Sequence, residues 1–245
     1  MAGRSKKQIE EREDAADAET EATDGGLGSA ADKVADAIIR GIRSGAFVPG
    51  QHLVEPDLTR RLGISRGSLR EALKHLAAAG IVTLNRFRGA YIASLDRKSV
   101  LDLLEVLEPL ARLAARLAAA QCDTDEKREM MLAAANATDE ANRSHNRGQY
   151  LECRRVFYST LVRIGGNQEL ERAMPLTRTD LFRAQIEAIQ SEKQRNRHAS
   201  GYTRIAKAVV DGNASAAERA VQKHFTGTRD TIEELPSDAF PSFSS

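Results

Sequence analysis

Tryptophan is absent from this chain, and aromatic residues make up only 4% of its 245 positions. With Ala and Leu recurring throughout, that shortage favours helix over sheet. No apolar run reaches eighteen residues, so no membrane-spanning helix is expected. The polar N-terminus lacks the apolar core of a signal peptide, and the expectation is a cytoplasmic protein. Cysteine is scarce: Cys122 and Cys153 have no metal-ligand spacing and read as buried, reduced thiols. A phosphate-binding glycine loop, a Ser/His/Asp or Cys/His arrangement set in a motif, and a metal-ligand set are all missing. Glu105 and Glu108 share a helix, where paired acids are usually solvated. No enzyme activity is expected.

An excess of one charge is also missing overall, at net +1, but the distribution is uneven. Residues 1–28 carry four basic and eight acidic side chains, residues 29–95 ten and five, and residues 96–245 twenty-two of each. Only the middle segment has the sign expected of a phosphate-binding surface. The length suits one large or two ordinary domains.

Residues 1–28 show no apolar periodicity and read as a disordered tail. Its basic cluster (Arg4, Lys6, Lys7) reads as solvated or as touching DNA phosphates. From Ser29 to Ser44, Val34, Ala37, Ile38 and Ile42 fall on one helix face, and Gly45 is a C-cap. A turn at Phe47-Val48-Pro49-Gly50 follows, and Gln51–Val54 is placed to pair briefly with a later hairpin. Glu55–Leu62 reads as a second helix, with Leu58 and Leu62 inward. Gly63 supplies the turn, Ser65 the N-cap of a third helix over Arg66–Ala79, and Gly80 its C′ residue.

That third helix has two faces. Leu69, Ala72, Leu73 and Leu76 form a buried stripe, while Arg66, Arg70 and Lys74 recur at four-residue spacing opposite. A basic stripe alone is usually just a solvated face. After an amphipathic helix and a Gly turn it has helix-turn-helix context. Ser65 and Ser68 can bond phosphate oxygens, Gly67 permits close backbone approach, and Arg suits bidentate contact with guanine. Two short β runs, Ile81–Leu84 and Ala90–Ala93, flank Asn85-Arg86-Phe87-Arg88-Gly89, a basic wing tip in which Gly89 allows a tight turn. Residues 29–95 are thus expected to form a winged helix-turn-helix.

Beyond Leu95 the pattern is helical: Ser99–Ala120 with a kink at Pro109, a helix from a capping box at Asp123–Glu126 to about Asn142, and Gln149–Ile164 ending at Gly165-Gly166. A helix capped by Asn167 and kinked at Pro175 runs to about Ser191, and Lys193–Val210 and Ser215–Glu234 complete the set. Short loops imply antiparallel neighbours. The expected fold class is mainly α: the winged domain, an all-α antiparallel bundle over residues 96–235, and a frayed tail over 236–245.

Gly41-Ile42-x-x-Gly45-x-x-x-Pro49-Gly50, Leu53-x-Glu55, Leu62-Gly63-Ile64-Ser65-Arg66, Leu69-Arg70-Glu71-Ala72-Leu73, Gly80-Ile81-Val82 and Arg88-Gly89 resemble the GntR family of bacterial transcription regulators. The helical half resembles the FCD effector domain of its FadR-like subfamily, through its helix pattern, Gly165-Gly166-Asn167 and His224. The resemblance implies a homodimer on a palindromic duplex operator, with repression the usual action. It places DNA contacts on Ser65, Arg66, Ser68, Arg70 and Gly89, and on Gly67. Arg86, Arg88 and Lys74 join them from the charge pattern. Many relatives carry an Arg where this chain has Pro56; Arg60 is a candidate substitute.

Many FCD domains hold a divalent metal with one Asp and three His. Here the corresponding positions are Arg154, Tyr158, Tyr202 and His224, and an inward Arg of the first effector helix corresponds to Leu107. A lone His cannot hold such an ion tightly, and Arg154 repels it. The expectation is no metal cofactor. Arg154, Tyr158, Tyr202 and His224 then either bind an anionic or phenolic small-molecule effector or satisfy one another. In the second case the bundle serves only dimerisation or a protein partner. His145 and His198, in polar stretches, read as surface residues.

Overall fold

The computed structural model describes residues 29–240; the expectations for residues 1–28 and 241–245 lie outside them. Helix α1 (Ala30–Ser44) opens on a capping box. Ser29 Oγ accepts from the Asp32 amide, and the Asp32 carboxylate accepts from Ser29 N. Val34, Ile38 and Ile42 are buried on its inner face. Strand β1 (His52–Leu53) leads into α2 (Glu55–Leu62), and Gly63, at φ 64°, turns the chain into α3 (Arg66–Ala78). β2 (Val82–Asn85) and β3 (Gly89–Ile92) form the wing. The antiparallel sheet has the order β1-β3-β2, with His52 opposite Tyr91 and Leu84 opposite Ala90. The expected pairing of the segment before α2 is therefore present.

The second half contains α4 (Arg97–Gln121), α5 (Asp125–Arg143), α6 (Arg147–Gly165), α7 (Gln168–Ala173), α8 (Leu176–Ile186), α9 (Glu192–Val210) and α10 (Ala214–Glu234). Helix α4 lies against α6 and α10, α5 against α6 and α9, and α9 against α10. Ala111, Ala114, Ala115 and Ala118 of α4 are fully buried, so its neighbours approach a nearly smooth surface. Among the described residues no helix is long and apolar enough to cross a membrane.

Several expectations need correction. The helix expected to kink at Pro175 is two helices, because proline lacks an amide hydrogen and disfavours helical backbone before it. Met174 is accordingly extended, at φ −72° and ψ 118°. Pro109, by contrast, lies within α4, which continues through it as the single helix expected. The capping box expected at α5 is a one-sided cap: Thr124 accepts from the Lys127 amide, and the Lys127 ammonium turns to Asp123 at 2.8 Å. Cys122 is buried but Cys153 only half-buried, and both are free thiols. Pro236–Phe240 is not frayed. It makes a 3-10 turn, with Phe240 buried and the Arg97 guanidinium 4.8 Å from its ring centroid.

The two halves meet through α1, α6 and α8. Arg43 pairs with Glu152 at 3.1 Å. Gly148 permits this approach: a Cβ there would lie 3.3 Å from the Ser44 Cα. Gln185 of α8 clasps the linker, accepting from Leu95 N at 2.9 Å and donating to Leu95 O at 2.9 Å and Ala239 O at 2.8 Å.

Candidate nucleic-acid interface and buried polar cluster

The start of α3 is built by its cap. Ser65 Oγ accepts from the Ser68 amide at 3.0 Å and lies 3.0 Å from Ser68 Oγ. The two hydroxyls expected to meet phosphates thus also organise the helix terminus, where free amides favour anions. Arg66, Gly67, Arg70 and Lys74 are all exposed. Arg70 is steered by Glu55, its Nε 3.5 Å from the carboxylate. A Cβ on Gly67 would meet nothing closer than Ser65 Oγ at 3.6 Å, so the fold does not require glycine there. Gly89, at φ 85°, is required by the wing turn. Arg86 and Arg88 stand exposed beside it. Pro56 occupies the first turn of α2, and Arg60 is engaged by Asp57 at 3.4 Å.

Inside the bundle, Arg154, Tyr158, Tyr202 and His224 are all buried and close together. The Tyr158 and Tyr202 ring centroids are 6.1 Å apart, and Tyr202 and His224 4.8 Å. Sequence reading missed four further members: Tyr150, Asp180, Arg183 and His198. Arg154 donates to Asp180 at 2.7 Å, and Arg155 approaches the same carboxylate at 3.5 Å. Burial pushes the Asp180 carboxyl up, against the pull of Arg154, Arg155 and Arg43. Arg183 donates to Thr228 Oγ1 at 3.1 Å and lies 4.7 Å from the Phe182 ring centroid. Among the described residues it has no carboxylate within salt-bridge distance, and its Nε is unpaired. Burial lowers its pKa, although a guanidinium stays charged at neutral pH.

His198 corrects the surface expectation: it is buried, 4.4 Å centroid to centroid from His224. Its Nδ1 is 2.6 Å from Tyr150 Oη. Burial raises the Tyr150 pKa, so its hydroxyl keeps its proton and either donates to Nδ1 or accepts from it, according to the imidazole tautomer. His198 Nε2, the other ring nitrogen, is buried without a partner. Burial drives both histidines well below their usual pKa, with Arg183 adding to the effect. His224 is seated by Gly201, where a Cβ would fall 2.0 Å from Nδ1. His145 is exposed, as expected. A cleft of about 200 Å³, bordered by Arg197, Arg204, Lys223 and Asp230, is also lined by His198 and His224.

Residues 30–92 match the family described as bacterial regulatory proteins, gntR family, and residues 102–227 match the FCD domain. The chain belongs to the GntR family. Together the two matches span both halves of the molecule. Relatives include the uncharacterized HTH-type regulator YdhC of Bacillus subtilis (strain 168), 25% identical over 187 residues, 75% of this chain and 82% of that protein. The Nta operon transcriptional regulator of Aminobacter aminovorans is 27% identical over 180 residues, 73% and 85%. In fold, the chain resembles E. coli McbR/YncC, with a TM-score of 0.74 at 15% identity over 85% of this chain and 99% of that one.

Among the described residues of this GntR regulator, no group of three or more His, Cys, Asp or Glu is placed to hold a metal ion. Two of the four positions are tyrosines that burial keeps protonated, and a third is Arg154, committed to Asp180. The inward position of α4 is Leu107, also buried. Arg183, from a different helix, is a further buried guanidinium of this cluster.

Proposed function

We propose that this regulator represses transcription as a cytoplasmic homodimer on a palindromic duplex operator, and that an anionic small molecule in the FCD domain releases it without a metal. The observation carrying the effector reading is a set of unpaired buried polar atoms. Arg183 Nε, His198 Nε2 and Tyr202 Oη make no hydrogen bond among the described residues, and Glu187, the buried carboxyl that feels the Arg183 charge, is not within salt-bridge distance of it. Leaving such atoms unsatisfied in a protein interior is costly, and an anion's acceptors would satisfy those that carry a hydrogen. Three basic side chains and one acid, Asp230, border the cleft that touches His198 and His224, so its net charge favours an anion on that side of the cluster.

Helix α8 supports a route from that cluster to the DNA. It carries Asp180 and Arg183 on the cluster side, Gln185 on the linker, and Arg178 against Gly80 at the end of α3, within 3.2 Å of where a Cβ would stand. A ligand competing for Arg154 or Arg183 would shift α8, and so the two recognition helices of a dimer relative to each other.

The test is thermal denaturation against a panel of mono- and dicarboxylates and phosphate esters, run beside operator release. A true effector raises the melting temperature and weakens DNA binding. Arg183→Met should abolish both effects. A second reading, with the bundle serving only dimerisation or a protein partner, is favoured by the mutual packing of Phe157, Tyr158, Tyr202 and His198. No shift from any compound, with operator binding intact, would select it.

A further inference from the structure

Phe87 is 91% exposed, the most exposed large hydrophobic side chain among the described residues. It stands at the tip of the wing between Arg86 and Arg88, with the Arg86 guanidinium 5.9 Å from its ring centroid. The loop holds it there. Asn85 Oδ1 accepts from Phe87 N at 3.0 Å and from Arg88 N at 3.2 Å, and Arg88 N also donates to Asn85 O at 3.3 Å. Asn85 and Gly89 close the ladder opposite each other. The ring is therefore presented by an ordered turn, with no apolar neighbour to cover it.

We infer that Phe87 is a wedge that enters the minor groove of the operator and partly unstacks a base step. The inference rests on the DNA-binding reading of the winged domain and adds a residue and a deformation to it. Three observations favour duplex DNA over a protein surface or a second copy as the occupant. The residues on either side of Phe87 in sequence, Arg86 and Arg88, are both exposed arginines, the side chains that meet phosphates beside a groove. No acidic residue lies between Thr83 and Ala90 to offset them against a basic copy of the same domain. The wing also springs directly from the end of α3, since β2 packs against that helix, so seating α3 in the major groove brings the tip to the adjacent groove. Apolar side chains inserted between base pairs offset the cost of unstacking by bending the duplex onto more protein surface. Specificity then arises at a flexible pyrimidine–purine step that no side chain reads by hydrogen bonding.

The experiment uses the full chain and a duplex enriched by the wild-type protein from a random-sequence library, with 2-aminopurine placed at successive steps. Wild type is expected to raise the fluorescence at one step per half-site. Phe87→Ala should abolish that rise and weaken binding on the order of tenfold or more, with the salt dependence unchanged because no phosphate contact is lost. Phe87→Leu should retain part of both effects. Arg86→Ala should do the reverse, lowering the salt slope by about one while leaving the fluorescence signal. Because Phe87 is exposed, the melting temperatures should match. Wild-type affinity and fluorescence in Phe87→Ala would overturn the wedge. So would a loss of dimer in that variant with DNA binding intact, which would make a second copy the occupant. A wild-type protein that enriches no sequence would fail the DNA reading itself and the wedge with it.

Discussion

Arg66 and Arg70 are held differently, and their substitutions should separate accordingly. Arg66 makes no ion pair among the described residues, whereas Arg70 is steered by Glu55 across the turn. If either reads a base, its change to Ala should cost about 1–3 kcal/mol at the operator and relax specificity there. Glu55→Gln should cost less, since an exposed pair contributes only ~0–1 kcal/mol. Equilibrium titration of the selected duplex and of a scrambled one distinguishes base reading from a phosphate contact, which would weaken both alike. Arg154 poses the opposite case. Its partner Asp180 is buried and would keep only the longer contact to Arg155, so Arg154→Ala should destabilise folding, by less than the roughly 3–5 kcal/mol of a fully stranded buried charge, in urea denaturation. The double change Arg154→Met with Asp180→Leu should recover most of that. If the single and double variants are equally unstable, the loss lies in packing rather than in a stranded charge.

Helix α8 shows where sequence reading fails. The winged domain was legible because each of its helices buries one face and exposes the other, and because Gly63, Ser65 and Gly80 punctuate them. Helix α8 buries Thr179, Asp180, Leu181, Phe182, Arg183 and Ile186 on all sides, so its apolar and polar residues do not segregate. Nothing in such a pattern marks Asp180 or Arg183 as inward. His198 was misread from its polar neighbours, although it stands one turn before Tyr202 and in step with Ile205 and Val209, all buried. That spacing was the available signal. The four positions inferred from family resemblance did come together, since helix register carries over even when chemistry does not. The importance of α8 as a connector can be tested at Gln185. Gln185→Ala removes both bonds to the Leu95 backbone and should free the linker. Limited proteolysis should then cut near residues 94–96 faster than in wild type, with the circular dichroism of both halves unchanged. Equal cleavage rates would show that α1 and α6 hold the halves together without it.

For the molecule as a whole, the buried cluster couples stability to pH: the two histidines lower stability toward acid, while the carboxyls of Asp180 and Glu187, raised by burial, act in the opposite sense. An unfolded chain protonates His198 and His224 near the ordinary value of about 6.5. In the folded protein burial, reinforced by Arg183, holds both well below it. Above about pH 6.5 both states carry neutral imidazoles, and these groups add no pH dependence. As pH falls through that value the unfolded chain takes up protons that the folded one refuses, so stability declines until the folded pKa values are reached. The slope in that window approaches about 1.4 kcal/mol per pH unit for each histidine. Urea midpoints measured from pH 7.5 to 5 should therefore drop more on the acid side than those of a His198→Asn, His224→Gln variant. A bound anion would bear on the same balance. Its charge favours imidazolium, so a saturating effector should raise the histidine pKa values and reduce the acid sensitivity. With Arg154 and Arg183 as the cations of the cluster, the metal-free proposal expects chelator treatment to leave the whole profile in place. A profile that collapses on chelation would mean that an ion, rather than Arg154 and Arg183, organises this domain.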